Sequence, residues 1–284
     1  MKAMKYVLIA VAVLLVACLI GVSLGLLLSN GLLLGRKLRS DDALSEPKTY
    51  EITGNITDLD MEIECAEVKI THGEAFKVES NIKHLTVTEE LGVLKIEEHS
   101  KVKTNNKVNR WLTLYVPNTI DADGHFTFRN VEIETGVGSL EIGNLYTNRL
   151  NLDLGTGRTE IANLNVTDFA EIDGGVGELT VHSGQINNLD LELGVGEAYI
   201  SAELLGNSKI KSGVGEACLK LRGKQEDYSV FVTKGLGEAT VFGKSAANGE
   251  KIGTGTQRIE ITGGVGAIEV EMDHSTVSAE SEKG

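Results

Sequence analysis

The fold is decided by a short segment that recurs along the second half of the chain. It reads AEIDGGVGELTV at residues 170–181, LDLELGVGEAYI at 189–200 and SKIKSGVGEACL at 208–219. In each copy, apolar and polar residues alternate on both sides of a Gly-x-Gly triplet. Alternation with a period of two is typical of a β-strand that buries one face. The segment therefore predicts a strand, a glycine corner and a second strand.

The triplet occurs seven times at a nearly constant spacing. Successive triplets begin 19, 20, 19, 19, 22 and 29 residues apart, at Gly136, Gly155, Gly175, Gly194, Gly213, Gly235 and Gly264. A unit this short cannot bury its own apolar face, so the units must stack. We predict an all-β fold, a single-stranded parallel β-solenoid with about 19–22 residues per coil. Residues 244–256 are expected to form a loop inserted before the last coil.

Aligning the triplets predicts which side chains are buried. Two apolar columns follow the glycines and should fill the interior, and the residue between the two glycines, mostly Val, is expected to plug the interior at the corner. The first column is Leu140, Thr159, Leu179, Ala198, Ala217, Ala239 and Ile268, and the second is Ile142, Ile161, Val181, Ile200, Leu219, Val241 and Val270.

The remaining segments divide the chain into regions. Residues 51–130 alternate without glycine triplets and are interpreted as irregular first coils and an N-terminal cap, so the β-domain is expected to cover 51–272, with its Gly-x-Gly repeats in 131–272. Solenoids need such caps to protect their open ends. Residues 1–35 are predicted to be a membrane anchor, 36–50 a juxtamembrane linker and 273–284 a disordered tail.

The anchor prediction rests on residues 6–35, which contain no charged residue. About 20 apolar residues span a bilayer, so this run is long enough to cross one. Leu15-Val16-Ala17-Cys18 resembles a lipobox, which leaves a lipoprotein attached through Cys18 as the alternative. We expect a single-pass protein of the cell membrane, in contact with the lipid bilayer through 6–35 and with its β-domain outside the cytoplasm.

Charge and cysteine content exclude some classes of partner and site. Five basic and no acidic residues precede Ser40, so the rest of the chain carries 22 basic against 41 acidic residues. Such a surface repels phosphate backbones, and we expect no nucleic-acid partner. Three scattered cysteines and six histidines without ligand spacing indicate neither a disulfide framework nor a metal site. No cofactor is predicted.

A column of carboxylates follows the glycine corners at Glu178, Glu197, Glu216 and Glu238. Two readings of this column are open. Strand alternation points it outward, which makes it a solvated stripe. In-register glutamates could also bind a hard cation such as calcium, which takes six to eight oxygen ligands. The column is the candidate binding site of the sequence.

The alternation around residues 56–70 and repeats such as LELGVGEA at 191–198 resemble the bacterial "putative adhesin" β-strand-repeat family, over roughly residues 53–272. The resemblance implies a β-solenoid and a non-enzymatic, adhesin-like binding or scaffold role in the cell envelope, with a link to envelope stress. A cell-wall polymer or an envelope protein would then be the partner. The oligomeric state is left open.

Two other classes of function are weighed against this one. A β-helix lyase or hydrolase acting on polysaccharide needs a carboxylate cluster with a basic residue, or a flanking carboxylate pair. Arg158 beside Glu178 is the nearest approximation to such a cluster. A polymerising β-helix of the bactofilin kind is the structural alternative. We expect that the protein is not an enzyme.

Overall fold

The computed structural model describes residues 45–99, 109–118 and 125–273. They belong to the second of the two units into which the chain divides, Asp42–Gly284. The expected membrane anchor, most of the linker and residues 274–284 of the expected tail lie outside the described residues. Among the residues that are described, no helix has the length and apolar character needed to cross a membrane.

The described ranges form a sixteen-stranded sheet and a single 3-10 turn, Gln225–Asp227, which confirms the all-β expectation. Alternating apolar residues with β-branched side chains favour this structure. The strands are β1 Lys48–Glu51, β2 Asp58–Gly73, β3 Lys77–Ser80, β4 Leu85–Glu90, β5 Val93–Glu98, β6 Trp111–Pro117, β7 Phe128–Val181, β8 Gly184–Asn187, β9 Leu189–Leu205, β10 Asn207–Leu221, β11 Tyr228–Thr233, β12 Leu236–Val241, β13 Lys244–Ser245, β14 Glu250–Ile252, β15 Gln257–Thr262 and β16 Val265–Met272.

The Gly-x-Gly units stack as parallel coils in register. Gly177 pairs with Gly196, Gly196 with Gly215, and Gly215 with Gly266. Each coil runs through a segment before the glycine corner, a segment after it and a third short segment, such as 185–187 beside 203–205. Both apolar columns predicted from the alignment are buried along their full length. The interior is therefore one continuous stack of Leu, Ile, Val and Ala side chains.

The coils do not stack in the order of the sequence at the C-terminal end. Strands β15 and β16, which come last in the chain, pair with β10 on one side and with β11 and β12 on the other. After β10 the chain first forms the outermost coil, which contains β11 and β12. It then returns and forms the coil between that one and β10, which contains β15 and β16. The Gly264 coil lies between the Gly213 and Gly235 coils.

The N-terminal end has the same kind of exchange. Strand β2 pairs in parallel with β7 on one side and with β5 and β6 on the other, although β5 and β6 lie between β2 and β7 in the sequence. Antiparallel strands then complete the outer layer, β4 on β5 and β3 on β6. Antiparallel pairing at the end closes a sheet edge that parallel coils would leave open.

Two sequence expectations need correction at the ends of the domain. Strand β1 begins at Lys48 and pairs with β3, so the sheet starts inside the segment expected to be linker. Residues 244–256 are not a plain loop, because they contain β13 and β14, which pair antiparallel with β12 and β11. Hairpins form here because the outermost layer needs partners that no further coil supplies.

The glycine corners are set by close approach between backbones. Gly177 has φ +145°, and a Cβ at this residue would lie 1.8 Å from the carbonyl oxygen of Gly157 in the neighbouring coil. No side chain fits in that space, and few residues other than glycine adopt that φ. The triplets are therefore required for the coils to pack against each other at the corner.

Candidate interaction surface

The residue between the two glycines of each triplet points outward, which corrects the sequence expectation that it plugs the interior. Val176 is 51% exposed, Val137 48% and Leu236 67%. Val195 and Val214 are also exposed, and Val265 is half-buried. We name this set the valine ladder; in spatial order it comprises Val137, Val176, Val195, Val214, Val265 and Leu236.

The outward direction results from a conflict between two strand registers. Ile172 is buried on the strand before the corner, and counting in steps of two from it would place Val176 inside. Leu179 is buried on the strand after the corner, and counting back from it places residue 178 outside, 177 inside and 176 outside. Val176 follows the register of Leu179 and points outward. The inward and outward alternation therefore changes phase at Gly175, where an added Cβ would lie 2.0 Å from the carbonyl oxygen of Gly155.

The ladder is continuous over most of the stack. Val176 is the direct neighbour of Val195, Val195 of Val214, Val214 of Val265, and Val265 of Leu236. With about 4.8 Å between coils, these five apolar residues span about 19 Å. Thr156 separates them from Val137, and Cys65, which is half-buried and free, pairs in register with Val137 at the N-terminal end.

The predicted column of glutamates lies two residues after the ladder and is exposed at all four positions. Glu178, Glu197 and Glu216 are direct neighbours, but Ala267 separates Glu216 from Glu238. Arg158 forms an ion pair with Glu178 at 2.8 Å, with both side chains at least half exposed. The pair proposed as the nearest approach to a polysaccharide-cleaving site is thus a solvated ion pair at one end of this column.

The geometry of the glutamate column bears on whether it could bind a hard cation. Within residues 45–99, 109–118 and 125–273, no three His, Cys, Asp or Glu side chains converge closely enough to hold a metal ion. Successive glutamates project in parallel from neighbouring coils rather than towards a common centre. A hard cation such as calcium needs six to eight oxygen ligands around one point. The geometry therefore favours a solvated stripe.

A second row of carboxylates lies two residues before the triplets at Gly136, Gly155, Gly175 and Gly194, with Glu62 at the matching position of β2. We name it the upstream acidic row; it comprises Glu62, Glu134, Asp153, Asp173 and Glu192, all exposed. Glu62 pairs in register with Glu134, and Asp173 with Glu192. Lys211 ends the row with an ion pair to Glu192 at 2.9 Å.

Neighbouring coils change the ionisation of Glu134 in the upstream acidic row. Partial burial raises the pKa of this carboxyl above its ordinary value, and the charges of Glu62 and Asp153 on the two neighbouring coils raise the pKa further. A raised pKa means that the ionised form is disfavoured in the folded protein. The upstream acidic row is therefore a surface that would gain from an adjacent positive charge.

The corner region holds no pocket of ligand size. The residues lining the glycine corners, including Val176, Glu178 and Glu197, enclose a cavity of about 40 Å³. Pockets for small molecules usually measure about 300–1,000 Å³. A wider, open depression of about 310 Å³ lies at the C-terminal end beside Phe242 and Met272. The cavity at the glycine corners is thus too small to enclose a drug-sized ligand.

Comparisons with known proteins agree with the family resemblance of the sequence. The family model described as Toastrack DUF4097 matches residues 51–271. No curated protein matches the chain. The resemblance stated from the repeats is therefore confirmed at the level of the family.

Several solved structures match most of the length of this chain. A putative cell adhesion protein from Clostridium sporogenes is 18% identical, with a TM-score of 0.33, and the match covers 80% of this chain and 99% of that one. A putative adhesin from Bacteroides fragilis is 14% identical, with a TM-score of 0.41 and coverage of 79% and 96%. A putative lipid binding protein from Parabacteroides distasonis is 16% identical, with a TM-score of 0.34 and coverage of 79% and 97%. At these scores the likenesses do not assign a function.

Proposed function

The chain belongs to the Toastrack DUF4097 family, and from this premise we propose that it is a non-enzymatic binding or scaffold module of the cell envelope. Residues 6–35 anchor it in the cell membrane as a single span, and the β-domain lies on the outer side. There it makes adhesin-like contacts with a cell-wall polymer or an envelope protein. A link to envelope stress is part of the proposal.

The observation that supports binding is the regular outward surface along the glycine corners. The apolar ladder is continuous over five coils, with about 4.8 Å between coils. Glutamates follow it at four of these coils, and Asp173 and Glu192 precede it at two. The backbone beneath is held by close contacts such as that between Gly177 and Gly157, so the side chains are presented from a rigid support. Extended surfaces of stacked repeats are suited to binding long or flat partners.

The anchoring part of the proposal is supported by the sequence of residues 6–35, which has no charge and exceeds the length needed to span a bilayer. This segment precedes the family match, which begins at residue 51. Lys2 and Lys5 before the span, with a long acidic domain after it, favour an outside location for the β-domain. Attachment through a lipidated Cys18 is the competing form of the anchor.

Topology can be tested with an epitope tag after Gly284 in a bacterial host. Intact spheroplasts should bind the antibody as strongly as lysed ones, because the tag would lie outside the cytoplasm. Antibody binding only after lysis would contradict the outer location. Replacing Cys18 with Ser distinguishes the two anchors, since a lipoprotein would lose its membrane attachment and a spanning helix would not.

Binding and catalysis can be separated with the same full chain, held in lipid nanodiscs. We expect retention of purified cell-wall polymers or envelope extracts without turnover. The competing β-helix lyase or hydrolase predicts release of reducing ends or unsaturated products, and that release should disappear in Arg158→Ala or Glu178→Gln. Product release from the wild type would contradict the proposed function.

A further inference from the structure

We propose that the valine ladder is a docking surface for a basic amphipathic helix of a partner protein. The inference rests on the proposed binding function and names the surface and the chemistry of the partner. Three observations carry it: the apolar residues are exposed, they are continuous along the stack, and carboxylates lie beside most of them. Glutamates follow the ladder at four of the five coils, and Asp173 and Glu192 precede it at Val176 and Val195.

The apolar contact would be made by the part of the ladder from Val176 to Leu236. A single exposed valine is ordinary on a protein surface. Here five apolar residues are direct neighbours over about 19 Å, and four of them are more than a third exposed. Contiguous apolar stripes with a polar border mark interaction sites.

The charge of the partner follows from the two flanking rows. The upstream acidic row lies three residues before the ladder, and the glutamates at 178, 197, 216 and 238 lie two residues after it. Glu197 and Glu216 form no ion pair within the described part of the chain. Beside this part of the ladder the upstream row contributes Asp173 and Glu192, and Lys211 follows at the same position of the next coil. Lysine or arginine on the flank of an apolar face that meets the glutamates, and opposite Asp173 on the other flank, would complement this pattern.

A helix is favoured over a strand because of the backbone at the corner. Parallel pairing with the coils above and below continues through the corner, as from Val195 to Val214, so the ladder presents no free sheet edge for an added strand. A helix satisfies its own backbone groups and binds through side chains alone. Its turns repeat every 5.4 Å, close to the coil spacing, and about 13 residues would cover the ladder.

A second copy of this chain is a poorer occupant. Two such surfaces face to face would add the glutamate column of a second copy to an interface that already contains one, and like charges across an interface oppose association. The positive groups of the rows, Arg158 and Lys211, are already engaged with Glu178 and Glu192. The occupant must therefore carry the opposite charge.

The probe is a fluorescently labelled 14-residue peptide of Leu and Lys, with Leu at positions i, i+3, i+4 and i+7 and Lys on the flanks. Binding is measured by anisotropy to the full chain in phosphatidylcholine nanodiscs, with empty nanodiscs as background. A peptide of the same composition with scrambled order and a Leu/Glu peptide are the controls. We expect the wild type to bind the Leu/Lys helix and neither control.

The variants use a substitution that the fold already accepts. Thr156 occupies the same position between glycines as the ladder valines, so the triple variant Val176→Thr, Val195→Thr, Val214→Thr should fold. We expect it to weaken binding by about tenfold or more. The reciprocal variant Thr156→Val extends the ladder to Val137 and should strengthen binding. Glu197→Gln with Glu216→Gln should weaken binding mainly at low salt.

Three results would overturn the inference. If the triple threonine variant binds the peptide as the wild type does, or if the scrambled peptide binds equally well, the surface recognises charge alone. If the wild type sediments as an oligomer and the triple variant as a monomer, the ladder serves self-association. Retention of envelope polymers by the wild type, together with peptide binding that does not depend on the ladder valines, would leave the proposed function intact while removing this inference. Peptide binding that depends on the ladder valines, without retention of any envelope polymer, would contradict the proposed function and leave this inference intact.

Discussion

Glu98 accepts hydrogen bonds from the backbone N–H groups of Glu64, at 3.0 Å, and Cys65, at 3.2 Å, with the same carboxylate oxygen. Its other oxygen accepts a hydrogen bond from Arg110. Glu64 and Cys65 form the corner of the β2 coil. The outer layer that lies beside this coil, formed by β5 and β6, has no Gly-x-Gly triplet to pair with the corner. The buried carboxylate of Glu98 therefore supplies the acceptor that the carbonyls of another coil would otherwise provide.

We expect Glu98→Ala to destabilise the domain by about 3 kcal/mol, because it leaves two corner N–H groups and the Arg110 guanidinium without this acceptor in a dry site. Glu98→Gln keeps one acceptor oxygen and should cost less. Urea unfolding followed by circular dichroism measures both. A loss below about 0.5 kcal/mol for the alanine variant would show that the carboxylate does not cap the coil.

Gly177→Ala tests the close approach of backbones at the corner. The new Cβ would lie 1.8 Å from the carbonyl oxygen of Gly157, so neighbouring coils would have to separate. We expect a loss of about 4 kcal/mol or more. Gly243 is the matched control, since it also has positive φ, +73°, but nothing lies within 4 Å of its Cβ position. Gly243→Ala should cost only about 1 kcal/mol, and equal losses at both sites would contradict the explanation.

Asp58 should make the stability of the domain depend on acid pH. Burial works to raise the pKa of its carboxyl, but hydrogen bonds from Arg129, Thr57 and Asn130 outweigh burial and hold the pKa below its ordinary value of 3.8. A depressed pKa in the folded state gives stability that is fully present above the unfolded value. It is lost as the pH falls through the folded value.

Asp58→Asn should therefore reduce the free energy of unfolding by about 2 kcal/mol at neutral pH, because the ion pair with Arg129 is lost. The difference from the wild type should shrink between about pH 4 and pH 2. Asp168→Asn removes an exposed ion pair with Arg149 and is the control, expected to change little at any pH. A gap between Asp58→Asn and the wild type that persists at pH 2 would argue against the assignment.

Glu134→Gln should raise the melting temperature at pH 7. The pKa of Glu134 is raised by burial and by Glu62 and Asp153, so its ionised form opposes folding at neutral pH. Stability from such a group is present below its unfolded pKa and is lost as pH rises through the folded pKa. High salt should reduce the gain by screening the charges. Glu141→Gln, which loses an ion pair with Lys69 at 2.5 Å, is the control and should not stabilise.

The sequence predicted the direction of side chains correctly wherever a single strand register applied. Leu179 and Val181 lie after the corner, where alternation has a single phase, and both are buried as predicted. The glutamates that follow the glycines point outward for the same reason. The alternation alone was ambiguous at Val176, where the register of Ile172 and that of Leu179 predict opposite directions. Apolar character favoured the interior there, and the prediction was wrong.

What the sequence by itself determined is the repeating unit: the period, the buried columns and the need for glycine, all of which depend on local alternation and on the size of a side chain. Only the tertiary structure decided the order of the outer coils, with the Gly264 coil between the Gly213 and Gly235 coils. Every coil offers a similar edge to its neighbours, so local pattern cannot specify which two are adjacent. The outward direction of Val176 and the cap formed by Glu98 likewise depend on which backbone lies alongside.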